Sequence, residues 1–260
     1  MQKLLLIDGL NILRRCYEAN PSPESEDKAK AAVQSALQSM KRGIREHAPT
    51  HFLTVFDACA TNWRHTLYPA YKEHRTPMSP LLATELEAMK AWMTKARWAW
   101  MARAGEEADD TIGGVSEFAL AQGAEVVLLS TDKDLVSLVA LGVKVYNHFG
   151  REWRDIEWCL NKFGVNPEQL TDYLALTGDS VDNIPGVAGI GAKTAAKLLA
   201  EYRHLEAVLA AAEAGHVKGK TGANLLAQKD QARLSFELAS MRTTLTSADL
   251  RWPELEAPSG

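Results

Sequence analysis

No apolar run in this chain approaches the ~18 residues that a membrane span requires. The LLLI stretch near the start is interrupted at once by Asp8, which excludes a secretory leader. Cysteine is scarce: Cys16, Cys59 and Cys159 are odd in number, far apart and without a CxxC spacing, so all three are read as reduced bystanders rather than as disulfides or a zinc site. A basic excess is missing as well. The 29 Lys and Arg stand against 33 Asp and Glu, a net charge of −4 that argues mildly against a nucleic-acid partner. A Walker loop is also absent, because Ala192 separates Gly191 from Lys193 and only three residues part Gly215 from Gly219. What remains is a 260-residue chain, 46% hydrophobic and 24% charged, expected to be a soluble cytoplasmic protein of one or two domains.

The densest charge sits in residues 105–111, GEEADDT, just after the apolar residues 98–101. Read as the first turn of a helix, the cluster meets a dipole end worth about half a positive charge, and a bound cation would supply much more. Glu107 and Asp110 then share one helical face, with Asp109 about a third of a turn aside. Taken alone, the cluster is equally an acidic helix start with a solvated face.

The pattern recurs. Residues 3–7 end in Asp8, residues 51–56 end in Asp57, and residues 125–129 lead through Ser130 and Thr131 to Asp132 and Asp134. Helix-like stretches at 29–46, 79–95 and 110–122 alternate with these runs, which predicts an α/β fold with a mostly parallel central sheet and helices on both faces. Function in such sheets lies outside the carboxyl ends of the strands, so the acids are expected to converge on one crevice. A single acid after a strand ordinarily caps the next helix; four such sites together need another account. Hard oxygen ligands suit Mg²⁺ or Mn²⁺, and an acidic, wet crevice points to phosphate chemistry.

Between the second and third runs, residues 62–80 mix Arg64, His65, Lys72, His74 and Arg75 with Trp63, Tyr68 and Tyr71. Cations neutralise phosphates and rings stack on unpaired bases, so the mixture suits a surface that tracks a strand. Its bland alternative is a solvated loop with rings packed at the base. Three prolines argue against one long helix here. Farther on, residues 166–178 read as a helix with Pro near its start and Gly at its end, running into Asp179 and Asp182, with Pro185 blocking continuation. The glycines of 186–191 and the helical AAKLLAEY after them make a hairpin whose amides can grip a phosphate backbone without reading sequence. Residues 205–212 and 223–241 read as further helices.

These segments together resemble the bacterial and phage 5′-nuclease family of structure-specific flap endonucleases: LLLIDGLN at 4–11, VFDA at 55–58, WRHTLYPAYKEHRTPM at 63–78, EADD at 107–110, STDKD at 130–134 and GDSVDNIPGVAGIGAKTA at 178–195. With no polymerase region after Gly260, the stand-alone form is expected. The resemblance implies a core at 1–165 with a helical arch at about 62–95, a helix-hairpin-helix subdomain at 166–250 and a tail at 251–260. It implies two Mg²⁺ or Mn²⁺ ions, a first held by Asp8, Asp57, Glu107, Asp109 and Asp110, a second by Asp132, Asp134, Asp179 and Asp182. Removing those nine from the 33 acids leaves 24 against 29 bases, so the acidity is concentrated at one place. By the same resemblance Lys72 and Arg75 contact the scissile phosphate, while Arg64 and Tyr71 lie along the DNA, with Tyr71 near the terminal bases. The hairpin binds duplex through Gly189, Ile190, Gly191, Ala192, Lys193 and Thr194, and K⁺ sits on Leu176, Thr177, Pro185, Val187 and Ile190. The implied protein is a monomer that acts on flapped or branched DNA away from membranes. A PIN-type ribonuclease and a non-catalytic DNA-junction binder are the rivals; the first leaves the hairpin and arch without a task, the second leaves the acids without one.

Overall fold

A computed structural model describes residues 2–58 and 61–257, so Cys59 lies outside the described residues. Strand β1 (Lys3–Asp8) leads into α1 (Gly9–Glu18) and the long α2 (Glu26–His47), which returns to β2 (His51–Val55). Then come α3 (Trp63–Leu67), α4 (Pro80–Lys95), β3 (Trp100–Met101), α5 (Ala108–Ala121) and β4 (Glu125–Leu129). The hairpin β5 (Lys144–Asn147) and β6 (Glu152–Arg154) precedes α6 (Ile156–Phe163) and α7 (Leu170–Thr177). Helices α8 (Ala192–Tyr202), α9 (Leu205–Glu213), α10 (Gly219–Ala227) and α11 (Lys229–Ala239) complete the fold.

The six strands lie in the order β3-β2-β1-β4-β5-β6, parallel except for the β5–β6 pair. Side chains alternate across each strand. Leu5, Ile7, Phe52, Val127 and Leu129 therefore pack on one face beneath α1, α2 and α4. Leu4, Leu6, Leu53, Val55, Val126 and Leu128 pack on the other beneath α5. Burial on both faces is why these strands read as continuous apolar runs rather than as alternating ones. Asp8 pairs in register with Val55, Ile7 with Leu129 and Val55 with Met101, so β1, β2, β3 and β4 finish level. That alignment gathers whatever follows each strand at one rim.

Several elements differ from the expectation. The strand expected at 98–101 is only Trp100–Met101, because Trp98 turns inward and donates its Nε1 to Thr54 Oγ1 at 2.9 Å. The expected helix at 166–178 opens with a 3-10 turn at Pro167–Gln169 before α7. The 223–241 stretch breaks at Gln228 into α10 and α11. In the arch region α3 and α4 are separated by turns over 68–79, and the chain there folds down onto the 179–184 loop. The helices after residue 156 share their own core around Leu174, Leu176, Leu199 and Val208. The expected tail docks: Trp252 stacks on His51 at 4.5 Å, and Ala257 N–H donates to the Thr50 carbonyl. Cys16 and Cys159 are free thiols, and burial pushes Cys159 up to about 11, which keeps it unreactive. Among the described residues no helix is long and apolar enough to cross a membrane.

Candidate active site

The level strand ends open onto a cavity of about 90 Å³ lined by Asp8, Asp57, Glu107, Asp109 and Asp132 together with Lys72, Arg75, Asn11 and Arg14. A polar cavity of that size has room for several waters. Asp8 ends β1 and caps α1: one oxygen accepts from Asn11 N–H at 3.1 Å, the other from Ser130 Oγ at 2.8 Å. It thus fills the ordinary capping role and still faces the crevice. Asp57 reaches across the sheet to accept from Ala108 N–H, at the start of α5, at 2.9 Å. Asp132 accepts from Asp134 N–H at 3.0 Å, while Ser130 Oγ accepts from Asp132 N–H at 2.9 Å, so one tight turn carries both acids beside Asp8.

Packed carboxylates repel, and burial removes the water that would soften the repulsion. Burial pushes Asp8 up to about 7 against the Ser130 hydrogen bond, and the charge of Asp132 adds to the rise. Asp134 is likewise pushed to about 7, by burial and then by Asp132, with Lys133 opposing. Asp109 stands well above the carboxylate range for the same two causes, and no described residue donates a hydrogen bond to it. Asp134 Oδ1 is buried without a hydrogen-bond partner, the Lys133 ammonium standing 4.0 Å away.

The opposite wall is different. Lys72 Nζ lies 2.6 Å from Glu107 Oε1 and 3.7 Å from Asp182 Oδ2, Arg75 pairs with Asp182, and Tyr71 OH donates to Glu107 at 3.1 Å. Burial alone would raise Glu107, but Lys72 and Arg64 reverse it and hold the carboxyl below its ordinary range. Asp179 meets Lys133 at 2.5 Å. The acid pair from the second half of the chain therefore reaches the same rim, each acid already beside a cation.

Three expected residues are placed elsewhere. Arg64 is 3% exposed and cannot lie along DNA: its guanidinium grips both Asp110 oxygens at 2.7 and 2.9 Å and donates to the carbonyls of Leu238 and Ser240. Asp110, 1% exposed, also accepts from the N–H groups of Glu107 and Arg242 and from Trp63 Nε1, so it has no lone pair left for the crevice and does not line it. Tyr71 is 3% exposed, its hydroxyl spent on the acids, and offers no ring to terminal bases. Sequence composition shows a cation or a ring but not which way it faces.

On the helical side, Gly189, Gly191, Ala192 and Lys193 are exposed at the start of α8, Thr194 is half-buried, and Ile190 faces the core, leaving only its backbone outward. Asn224 and Gln228 brace this hairpin through the Ala188 carbonyl and N–H. Leu176 and Val187 are core residues whose backbones pair, Val187 N–H to Leu176 carbonyl at 2.9 Å. The 185–186 backbone lies directly on 177–178: a Cβ on Gly178 would sit 2.5 Å from the Ile184 carbonyl oxygen, and one on Gly186 2.3 Å from Gly178 N. Both glycines have positive φ, so this stacking of carbonyls admits no side chain.

Among the described residues no three His, Cys, Asp or Glu side chains close directly round one point. The donor set nonetheless fits hydrated divalent ions: it is all carboxylate, surrounds water-sized space, and leaves Asp109 and one Asp134 oxygen unsatisfied. Mg²⁺ keeps several waters and takes few protein ligands directly, which matches acids spaced around a cavity. Asn11, Arg14 and Ser130 were missed in the sequence; Asn11 and Arg14 follow Asp8 at intervals of three, the spacing that puts them on the crevice face of α1.

A parallel sheet that empties its strand ends into an acidic, cation-flanked crevice, with a helical hairpin module beside it, defines a phosphodiester-cutting nuclease. Residues 3–164 match the family described as 5′-3′ exonuclease, N-terminal resolvase-like domain, and residues 165–258 match 5′-3′ exonuclease, C-terminal SAM fold. The chain belongs to the 5′-3′ exonuclease family. Flap endonuclease Xni of Shewanella pealeana is 36% identical over 259 residues, 99% of this chain and of that protein. Its namesake in Shewanella amazonensis is 39% identical over 249 residues, 94% of each. Among solved structures, a variant bacteriophage T5 flap endonuclease in complex with DNA and metal ions superposes with a TM-score of 0.76 at 22% identity, covering 92% of this chain and 89% of that one. The T5 5′-exonuclease with bound zinc gives 0.75, also at 22% identity, and these two likenesses speak for the fold.

Proposed function

We propose that the protein cuts flapped DNA at the acidic crevice, whose carboxylates would hold two divalent ions, with Lys72 and Arg75 facing the scissile phosphate. Its activity is that of a 5′-flap endonuclease with 5′–3′ exonuclease action. The observation that carries the reading is the single cavity in which Asp8, Asp57, Glu107, Asp109 and Asp132 meet Lys72 and Arg75.

The acids suited to a first ion are Asp8, Asp57, Glu107 and Asp109; those suited to a second are Asp132, Asp134, Asp179 and Asp182. Asp110 is left out, because Arg64 holds it. Bound ions supply activation of a water and neutralisation of the phosphodiester's charge. The chain's own residues do the rest. Lys72 and Arg75, paired with Glu107 and Asp182, turn to an incoming phosphate and stabilise the charge that grows on it, a contribution of about 3–4 kcal/mol per well-placed donor. Asp8 and Ser130 fix the turn that carries Asp132. The amides at the start of α8, with Lys193 beside them, hold a duplex phosphate by charge and dipole without touching base edges. The closely stacked backbone of 176–178 and 185–190 presents the carbonyls that would hold K⁺, whose charge would favour a phosphate at the hairpin. We assign the core to 1–165, the DNA-holding helices to 166–250, and the rest to a tail.

The test is cleavage of 5′-labelled flap DNA with Mg²⁺, and with chelator in its place. The reading expects cuts at the flap junction that leave a 5′-phosphate and vanish with chelator. Equal cleavage in chelator, or cleavage of single-stranded RNA in preference to flapped DNA, would overturn it.

A further inference from the structure

Two non-glycine residues on facing loops hold a backbone shape that side chains disfavour: Lys72 at φ 56° in the turn below α3 and Asn183 at φ 55° in the loop after α7. Such conformations are strained and persist where neighbours over-determine them. Here the neighbours are each other's loops. Lys72 N–H donates to the Asp182 carbonyl at 3.0 Å. Asn183 Nδ2 donates to the Ala70 carbonyl at 2.7 Å and lies 3.1 Å from Glu73 Oε1.

An asparagine is common at positive φ because its short amide bonds its own backbone nearby. Asn183 does otherwise, since both of its side-chain bonds reach partners more than 100 residues away in sequence. The loop it stands on is stiff: Asp179 and Ile184 exchange backbone hydrogen bonds at 2.9 and 2.8 Å, and Val181 N–H caps onto Asp179 Oδ1 at 2.8 Å. The 68–75 turn it holds has no helix of its own, yet it carries Lys72 and Arg75.

We infer that Asn183 is a positioning residue for cleavage: its amide latches the 70–73 turn to the 179–184 loop and thereby aims Lys72 and Arg75 across the crevice. The inference rests on the reading of those two cations as the groups that face the phosphate. A turn freed from the latch still carries the cations but lets them swing, and displacement of a catalytic group by about 1 Å can cost about 100-fold in rate. The latch also joins the loop of Asp179 and Asp182 to the turn that bears the cations, so the acids and cations of this wall move as one.

Asn183→Gly separates the amide from the backbone shape, because glycine adopts positive φ freely. Asn183→Asp keeps size and turn preference but turns the donor into an acceptor facing two acceptors. Both variants are expected to lower the single-turnover cleavage rate on saturating flap DNA by about 10- to 100-fold, with Asp the lower. Binding of flap DNA in chelator is expected to stay within about twofold of wild type, the split that marks lost positioning rather than lost affinity. In the DNA-free, metal-free protein, trypsin is expected to cut after Lys72 and Arg75 several times faster. Wild-type cleavage and wild-type trypsin resistance in Asn183→Gly would overturn the latch. So would a fall in rate matched by an equal fall in DNA binding or a collapsed melting transition, which would make Asn183 a folding residue. Lys72→Ala distinguishes the two levels: if it cleaves at full rate, the reading of the arch cations fails and the latch with it. If Lys72→Ala fails while Asn183→Gly cleaves normally, the latch alone is wrong.

Discussion

The strand ends and the arch side of the molecule carry carboxylates under opposite conditions. At the strand ends, Asp8, Asp57 and Asp132 accept hydrogen bonds from neutral groups, Asp109 from none among the described residues, and burial with mutual repulsion lifts Asp8 and Asp109 out of the usual carboxylate range. Toward the arch, Glu107, Asp110, Asp179 and Asp182 each meet Lys72, Arg64, Lys133 or Arg75, and Glu107 is held below that range. One wall stores uncompensated charge; the other spends its charge on internal partners. The difference teaches that an acid's presence in a motif does not fix its state: Arg64 occupies both oxygens of Asp110, whereas Glu107, Asp179 and Asp182 keep part of their oxygens beside cations that an incoming phosphate can draw away.

The comparison can be broken most forcefully on the strand-end wall. Asp132→Asn is expected to lower cleavage by 1000-fold or more while leaving duplex binding in chelator intact, which gel-shift and single-turnover assays would show; the scale is that of losing charge stabilisation at a reacting phosphate. On the braced wall, Asp110→Asn is expected to act through folding. It strands the Arg64 guanidinium in the interior, a loss of about 3–5 kcal/mol, visible as an earlier urea midpoint with unchanged m. Asp109→Asn should do the reverse in chelator, raising the melting temperature by removing repulsion while abolishing cleavage. If Asp110→Asn and Asp109→Asn shifted stability in the same direction, the distinction between the walls would fail.

The acid–base behaviour sharpens it further. Asp8 and Asp134, near 7 in the fold against an ordinary 3.8, bind protons that the unfolded chain releases between those values. Metal-free stability therefore falls as pH climbs through about 7, and Mg²⁺ should flatten that slope in thermal melts. Glu107, depressed, works with the opposite sign, its stabilisation present above the ordinary carboxyl range and lost on acidification through its folded value. The smallest effect is expected outside the crevice: Lys193→Ala should weaken duplex binding a few-fold and reduce the salt slope by about one.

How much of this the sequence discloses depends on whether a residue's role is local. Strands β1, β2 and β4 and their terminal acids are legible because buried parallel strands are short apolar runs and the acids follow directly. Strands β5 and β6 are not, being four and three residues long with no apolar run to mark them. The loop acids Asp179 and Asp182 are visible as a pair, but that they arrive at the same rim is a property of α7 and α11 packing, not of spacing. Arg64 and Tyr71 face inward for a related reason: α3 turns Arg64 onto the start of α5 and the end of α11, and the turn after it sets Tyr71 against Glu107 and Asp182, contacts that cross between elements far apart in sequence. Asn183 has no composition signal beyond its motif, since its partners lie in the arch.

Anomalous diffraction from crystals of the protein soaked in Mn²⁺ tests the central claim most directly. The account predicts Mn²⁺ peaks within the cavity bounded by Asp8, Asp57, Asp109 and Asp132, and none at Asp110. Peaks at Asp110 or on the outer surface, with the cavity left without one, would contradict it.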